Sequence, residues 1–346
     1  MMAFKHGELL KTHYQILGPL TLLLAGLVVA QAPEPDGGGV ERGVLPAAWA
    51  PSGPKCMEIS DWQVREYNPN LYIIRQSGCL DYEKPFLYLI FGKERGLLLD
   101  TGSRNFPAAA MVEDVAGKWL ARNHRRRIEL IVAHSHPHSD HVAGDEQLKN
   151  LQSSSLTIRL VPATVEDTKK LYGIANWPDG MGSVDLGGRV LDAIPIPGHS
   201  PVSIALYDRQ TGILFTGDSL YPGRLYVNDW AEFAKSTQRL VKFTQGKIVA
   251  HILGCHIEQS TTPYLDYPVG TIYQPHEHEL ALSLGNLLEL NEALLSLRGI
   301  PKRLAMRDFS IWPMLADPQS QAQAKEKFEA HRKEQIEHMW DQPPAQ

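Results

Sequence analysis

From Cys56 onward, apolar residues gather in short runs separated by turn residues, which is the pattern of strands. Residues 63–67, 71–75, 86–91 and 96–100 are such runs, rich in Tyr, Ile, Leu and Phe. The period then changes. Over 107–121, Ala110, Met111, Val115, Trp119 and Leu120 recur at helical spacing and predict a helix with one apolar side. Residues 128–133 return to a short buried strand. The second half repeats the theme, with strands expected at 156–161, 190–195, 202–207, 213–215 and 248–253. Residues 229–243 read as a helix capped by Asn228 or Asp229. Beyond His276 the chain turns helical, leucine-rich over 279–297 and charged over 319–340. Strand clusters flanked by helices in both halves predict an α/β architecture of two sheets packed face to face with helices outside.

The N-terminal segment has another pattern. Lys5 and Lys11 precede a nearly uninterrupted apolar stretch from Ile16 to Ala30, and small residues follow at Ala30 and Ala32. Basic start, apolar middle and small-x-small exit form the layout of a secretory signal. Residues 1–32 are therefore read as a signal peptide or, if uncut, an N-terminal membrane anchor, although the stretch is short for a span. The expected location is exported, periplasmic or secreted. Residues 33–55, rich in Pro, Gly and Ala, read as a flexible linker. Residues 56–272 form the main domain, and 273–346 a C-terminal helical region. In an oxidising compartment Cys56 and Cys79 can pair and leave Cys255 over; equally, all three can be small buried residues.

With 43% hydrophobic and 21% charged residues, the chain has the make-up of a globular protein able to bury a sizeable core. Its net charge of -5 argues against a nucleic-acid partner and leaves a small-molecule substrate. The one dense basic run, Arg125-Arg126-Arg127, falls where a helix should end, a favourable place for cations.

The chemistry concentrates in His134-Ser135-His136-Pro137-His138-Ser139-Asp140-His141, directly after a predicted strand. Neutral imidazoles and a carboxylate suit zinc and similar borderline metals. His136 and His138 can face one way from an extended loop and share a metal, while Asp140 and His141 reach a second. Three later islands end strands with a glycine turn: Gly198-His199, Gly217-Asp218 and Gly254-Cys255-His256. Each alone reads as a turn. Four strand-end loops converging on one edge of a sandwich would make a site.

In that order these motifs resemble the metallo-β-lactamase-fold superfamily, in particular its glyoxalase-II-like hydrolases. The match runs through His-x-His-x-Asp-His at His136 to His141, then His199, Asp218 and His256, with Leu98-Leu99-Asp100-Thr101-Gly102 upstream. The resemblance spans about residues 57–259. It implies an αββα sandwich with the helical region as a C-terminal extension, and two metals per chain, most often zinc, with iron or manganese as alternatives. By the same resemblance His136, His138 and His199 hold the first metal. Asp140, His141 and His256 hold the second, Asp218 bridges, and Asp100 is hydrogen-bonded beside the site rather than ligating. The C-terminal basic pattern with which glyoxalase II takes glutathione is not identifiable here.

Such a site lowers the pKa of a shared water, so that hydroxide attacks an ester, thioester, lactone or lactam-type carbonyl near neutral pH, with Asp140 orienting it. The alternative is an iron-dependent sulfur dioxygenase or another redox enzyme on the same fold, against which the complete second ligand set counts. His134 is expected outside the ligand set. His251, inside a strand, competes with His256 and is disfavoured. His276 and His278 are not spaced as a zincin pair and are expected to open a helix. Cys255 is expected to be buried, pointing away from His256. Tyr221, Arg224 and Tyr226 can either contact substrate or pack.

Overall fold

The computed structural model describes residues 40–53 and 55–314, with the isolated positions 326 and 330. The signal or anchor segment 1–32 lies outside the described residues, as does the helix expected over 319–340 apart from positions 326 and 330.

The first sheet holds six strands in chain order: β1 (Trp62–Asn68), β2 (Leu71–Gln76), β3 (Phe86–Phe91), β4 (Arg95–Leu99), β5 (Ile128–Ala133) and β6 (Leu156–Leu160). β1 to β4 form an antiparallel meander. Pairing then becomes parallel from β4 to β5 and from β5 to β6. A parallel step needs a crossover, and α1 (Ala108–Arg122) supplies the first one, while the short helices α2 (Ser139–Val142) and α3 (Asp145–Lys149) lie in the second. α4 (Val165–Tyr172) leads to the second sheet. That sheet has the order β13-β12-β10-β9-β8-β7, with β7 (Gly182–Asp185), β8 (Val190–Pro195), β9 (Ile204–Asp208), β10 (Ile213–Gly217), β12 (His251–Gly254) and β13 (Ala281–Leu282). A three-stranded sheet joins β11 (Arg224–Val227), β15 (Ser310–Pro313) and β14 (Leu304–Ala305).

Side-chain alternation explains the layering. On β2 and β3, Ile73, Phe86, Tyr88 and Ile90 pack against Leu191, Leu206, Phe215 and Leu253 of the second sheet. Their neighbours Tyr72, Ile74, Leu87, Leu89 and Phe91 pack instead against Val112, Val115 and Trp119 of α1. Both strands are covered on both faces, so they read as continuous apolar runs. The outer face of the second sheet (Ile194, Ala205, Leu214, Ile252) meets Phe233 and Leu240 of α5 (Trp230–Thr244) and Leu287 and Leu290 of α6 (Leu284–Ser296). Helix, sheet, sheet and helix stack as the αββα sandwich, with α6 as the described helix of the C-terminal extension.

Differences from expectation have local causes. Asp229 caps α5, its side chain accepting from the Glu232 N–H at 2.9 Å. α6 starts at Leu284, later than expected, because Ala281 and Leu282 pair with β12 and Ser283 provides the cap. α2, α3, β7, β11 and β13 to β15 are too short to display a period. Within the stretch expected as a linker, Trp49 is buried edge-on to Phe86 with ring centroids 5.0 Å apart, and the Val44 N–H donates to Tyr67 O at 2.8 Å. Cys56 and Cys79 form a disulfide, while Cys255 is free and buried. A cross-link of this span contributes on the order of 3 kcal/mol.

The described residues do not bear out the expected N-terminal membrane anchor, whose own segment lies outside them. Among the described residues no helix is long and apolar enough to cross a membrane. The longest, α1 and α5, have 15 residues each, well short of the roughly 20 that a bilayer core requires.

One buried ion cluster ties the chain after β12 to the first sheet. Arg75 on β2 grips both oxygens of Glu277, and Lys84 Nζ donates to Oε1 at 3.2 Å. Burial pushes the Glu277 carboxyl up, but Arg75 and Lys84 outweigh it and hold the group below its usual value. A carboxylate depressed in the folded state contributes stability above its unfolded pKa, and that contribution is lost as pH falls through the folded value. Glu277→Gln should therefore destabilise by roughly 3–5 kcal/mol at pH 7. In urea unfolding, the gap to the parent should narrow below about pH 4. A gap independent of pH would contradict this account.

Candidate metal centre

Parallel pairing gathers the chemistry at one edge. Leu99 and Ala133 sit side by side at the ends of β4 and β5, so Asp100 and the histidine run leave the first sheet together. Gly217 and Gly254 are partners at the ends of β10 and β12, which brings Asp218 beside His256. His199 stands in the turn between β8 and β9. That turn needs its glycine, because Gly198 has φ 141° and an added Cβ would meet the Phe233 Cα at 2.5 Å.

Two donor groups result. In the first, His136 Nε2, His138 Nδ1 and His199 Nε2 lie 3.0 to 3.2 Å apart. The second holds Asp140, His141, Asp218 and His256, whose donor atoms all lie within 4.8 Å of one another. Asp218 spans the two. Its Oδ2 is 3.5 Å from His199 Nε2 and 3.8 Å from His136 Nε2, while its Oδ1 is 3.5 Å from His141 Nε2 and 3.4 Å from His256 Nε2.

The ring nitrogens that face away from these groups are tethered. His136 Nδ1 meets Ser135 Oγ at 3.0 Å, and His141 Nδ1 donates to Asp100 Oδ2 at 2.9 Å. His199 Nδ1 donates to Tyr226 O at 2.8 Å, and His256 Nδ1 to Glu83 O at 2.9 Å. These bonds leave each Nε2 bare toward the centre, as metal-ligating histidines require.

The donor set fits a pair of dications. His141 Nε2 and Asp218 Oδ1 are buried without a hydrogen-bond partner, although Asp140 Oδ2 lies 2.9 Å from that nitrogen. Close donor atoms without hydrogen-bond alignment are arranged around a shared centre, and leaving such atoms empty in a protein interior is costly. Electrostatics agrees for the first group and for the carboxylates, whereas at His141 and His256 burial is outweighed by the neighbouring carboxylates, which hold both imidazoles well above their usual value. Burial, reinforced by the neighbouring His141, keeps the His136 imidazole well below its usual pKa, and burial with His199 lowers His138. Burial pushes Asp140 and Asp218 up, yet the adjacent imidazoles hold both carboxyls well below the usual range. A third cluster, Asp100, His141 and Cys255, is accounted for by hydrogen bonds to Asp100, including one from Cys255 Sγ at 3.4 Å.

The centre opens into a cavity of about 280 Å³, whose walls include Tyr82, Lys84, Tyr221, Arg224, Gln274 and Met314. Arg224 is held by Glu258 at 2.6 Å and Asp266 at 2.9 Å. Glu83 and Lys84 were not legible as site residues. They lie in the charged loop before β3, and only folding brings that loop against His256. Burial, with the Asp140 charge next, raises Glu83 to about 7.

Four other histidines stand apart. His134 Nε2 bonds Asp145 Oδ1 at 2.9 Å and belongs to neither donor group. His251 opens β12 with its ring edge-on to Tyr67. His276 and His278 do not open α6: the His276 N–H donates to Tyr267 OH, and the His278 ring bonds Glu279 O and Asp308.

The Metallo-beta-lactamase superfamily model matches residues 84–299, and the chain belongs to that superfamily. Over 204 residues it is 26% identical to acyl-coenzyme A thioesterase MBLAC2 of Homo sapiens, covering 49% of this chain and 72% of that protein. Over 233 residues it is 27% identical to hydroxyacylglutathione hydrolase of Aeromonas hydrophila, covering 66% and 80%. A solved metallo-beta-lactamase from Pontibacter korlensis aligns with TM-score 0.43 and 16% identity, over 68% of this chain and 99% of that one. The site is that of a binuclear metallohydrolase.

Asp100→Asn keeps the size of the side chain but removes the charge that orients His141. It should lower metal affinity by about 10- to 100-fold while the far-ultraviolet circular dichroism stays native. Unchanged affinity in a chelator competition would refute the orienting role.

Proposed function

We propose that this protein is an exported two-zinc hydrolase of thioesters. The observation that carries the reading is Asp218, whose two oxygens face two separate donor groups at the head of one cavity. His136, His138 and His199 would hold one zinc, Asp140, His141 and His256 the other, with Asp218 between them. Bound there, two dications supply hydroxide near neutral pH and polarise the attacked carbonyl. Asp140 lines the cavity and lies 3.2 Å from His256 Nε2, which supports a role for its carboxylate in orienting the attacking water and accepting its proton. Cys255 and Ser135 are buried and bonded to Asp100, so neither serves as a nucleophile. The thioester class is supported by the relatives: an acyl-coenzyme A and a hydroxyacylglutathione both carry an acyl group on sulfur. Export through residues 1–32 is supported by the Cys56–Cys79 disulfide, a bond of oxidising compartments.

Metal analysis of purified protein should give close to two zincs per chain. A thioester panel should show turnover that chelation removes and zinc restores. Asp140→Ala and His199→Ala should each abolish it without unfolding the protein. Retained activity would refute the site, and one iron with oxygen consumption on a persulfide would replace hydrolysis with the redox alternative. For export, the mature protein recovered outside the cytoplasm should have lost roughly its first 30 residues. An intact N-terminus on cytoplasmic protein would rule export out.

A further inference from the structure

Lys84 stands in the wall of the cavity, and nothing in the reaction described above uses it. Its side chain is 3% exposed. An ammonium carries three donors. Among the described residues Lys84 bonds one acceptor, Glu277 Oε1, and Arg75 already takes both oxygens of that carboxylate. Two cations therefore share one anion, with donors of Lys84 left over.

The other carboxylates of the wall are engaged elsewhere. Glu258 accepts from the Arg224 guanidinium and the Arg224 N–H. Glu83 accepts from Tyr82 OH at 2.8 Å. Burial lowers Lys84 to about 8, which still leaves it mostly charged at neutral pH. A buried cation with spare donors is costly unless something completes its shell. Position argues for a ligand. The Glu83 carbonyl receives His256 Nδ1–H, so the residue next to Lys84 is anchored on the second donor group. A cavity of about 280 Å³ accommodates a small acyl group, and a lysine this deeply buried meets the acyl end rather than a bulky thiol carrier outside.

We propose that Lys84 is a specificity-determining residue that receives a carboxylate on the acyl chain of the substrate. This rests on the thioester reading. It selects acyl groups with a terminal anion over apolar ones of equal length.

The test uses the zinc-loaded full chain with succinyl and butyryl thioesters of N-acetylcysteamine, which share one thiol and one chain length. The parent should favour the succinyl substrate in kcat/KM by about tenfold or more, the range of a hydrogen bond to a charged group. Lys84→Met should bring the ratio near one, mainly through KM, and Lys84→Arg should retain part of it. A parent indifferent to the two acyl groups would overturn the proposal, and that comparison requires no variant to fold. Equal losses on both substrates in Lys84→Met would reduce Lys84 to a structural role and also overturn it. No zinc-dependent turnover of either thioester would defeat the thioester reading itself, and this inference with it.

Discussion

Asp100 is a carboxylate with no solvent exposure, held at φ 69° where β4 ends. An ionised group in such a place survives only if its oxygens are satisfied. Oδ1 accepts from the Ser135 N–H at 2.7 Å, while Oδ2 accepts from Ser135 Oγ at 2.8 Å, His141 Nδ1 at 2.9 Å and Cys255 Sγ at 3.4 Å. Those partners come from the end of β5, from α2 and from the end of β12, so one side chain joins the edges of both sheets. It also fixes the His141 tautomer, and through Ser135 it reaches His136. The centre is only as well ordered as this hub.

Around it the two sheets are stitched by backbone rather than by side chains alone. The Ile204 N–H donates to Ser135 O at 3.0 Å, and the Phe86 N–H to Cys255 O at 2.8 Å. The strands that carry the donors are thereby registered against each other before any metal is considered. With the outward nitrogens of His136, His141, His199 and His256 tethered, little rotamer freedom is left to lose on binding.

The walls of the cavity obey a different logic. The chain after His256 has little regular structure until β13 and is held by charge. Glu258 and Asp266 grip Arg224, and Arg75 and Lys84 grip Glu277. The cations of these clusters are buried, so they position the segment firmly, yet each depends on partners far away in sequence. Much of the cavity wall is thus built by residues outside the metal-binding motifs.

Much of the fold was readable because its signals are local. The apolar run at β3, the largely apolar stretches at β5 and β8 and the amphipathic spacing of α1 and α5 declare themselves within one element. The spacing of His136, His138, Asp140 and His141, with three glycine-turn islands behind it, marked the ligands for the same reason: a strand end presents its loop residues predictably. Strands of two to four residues carry no period, and their existence depends on which neighbour is near enough to pair. Nor could any spacing show that Glu83 would cap His256, or that Cys255 would bond Asp100 rather than simply be buried. The sequence by itself determined the layers and the donor residues, because periodicity and turn chemistry act over a few residues. Only the tertiary structure decided how those donors are oriented and what lines the cavity, because both rest on contacts between segments far apart in the chain, such as Arg75 with Glu277, 202 residues apart.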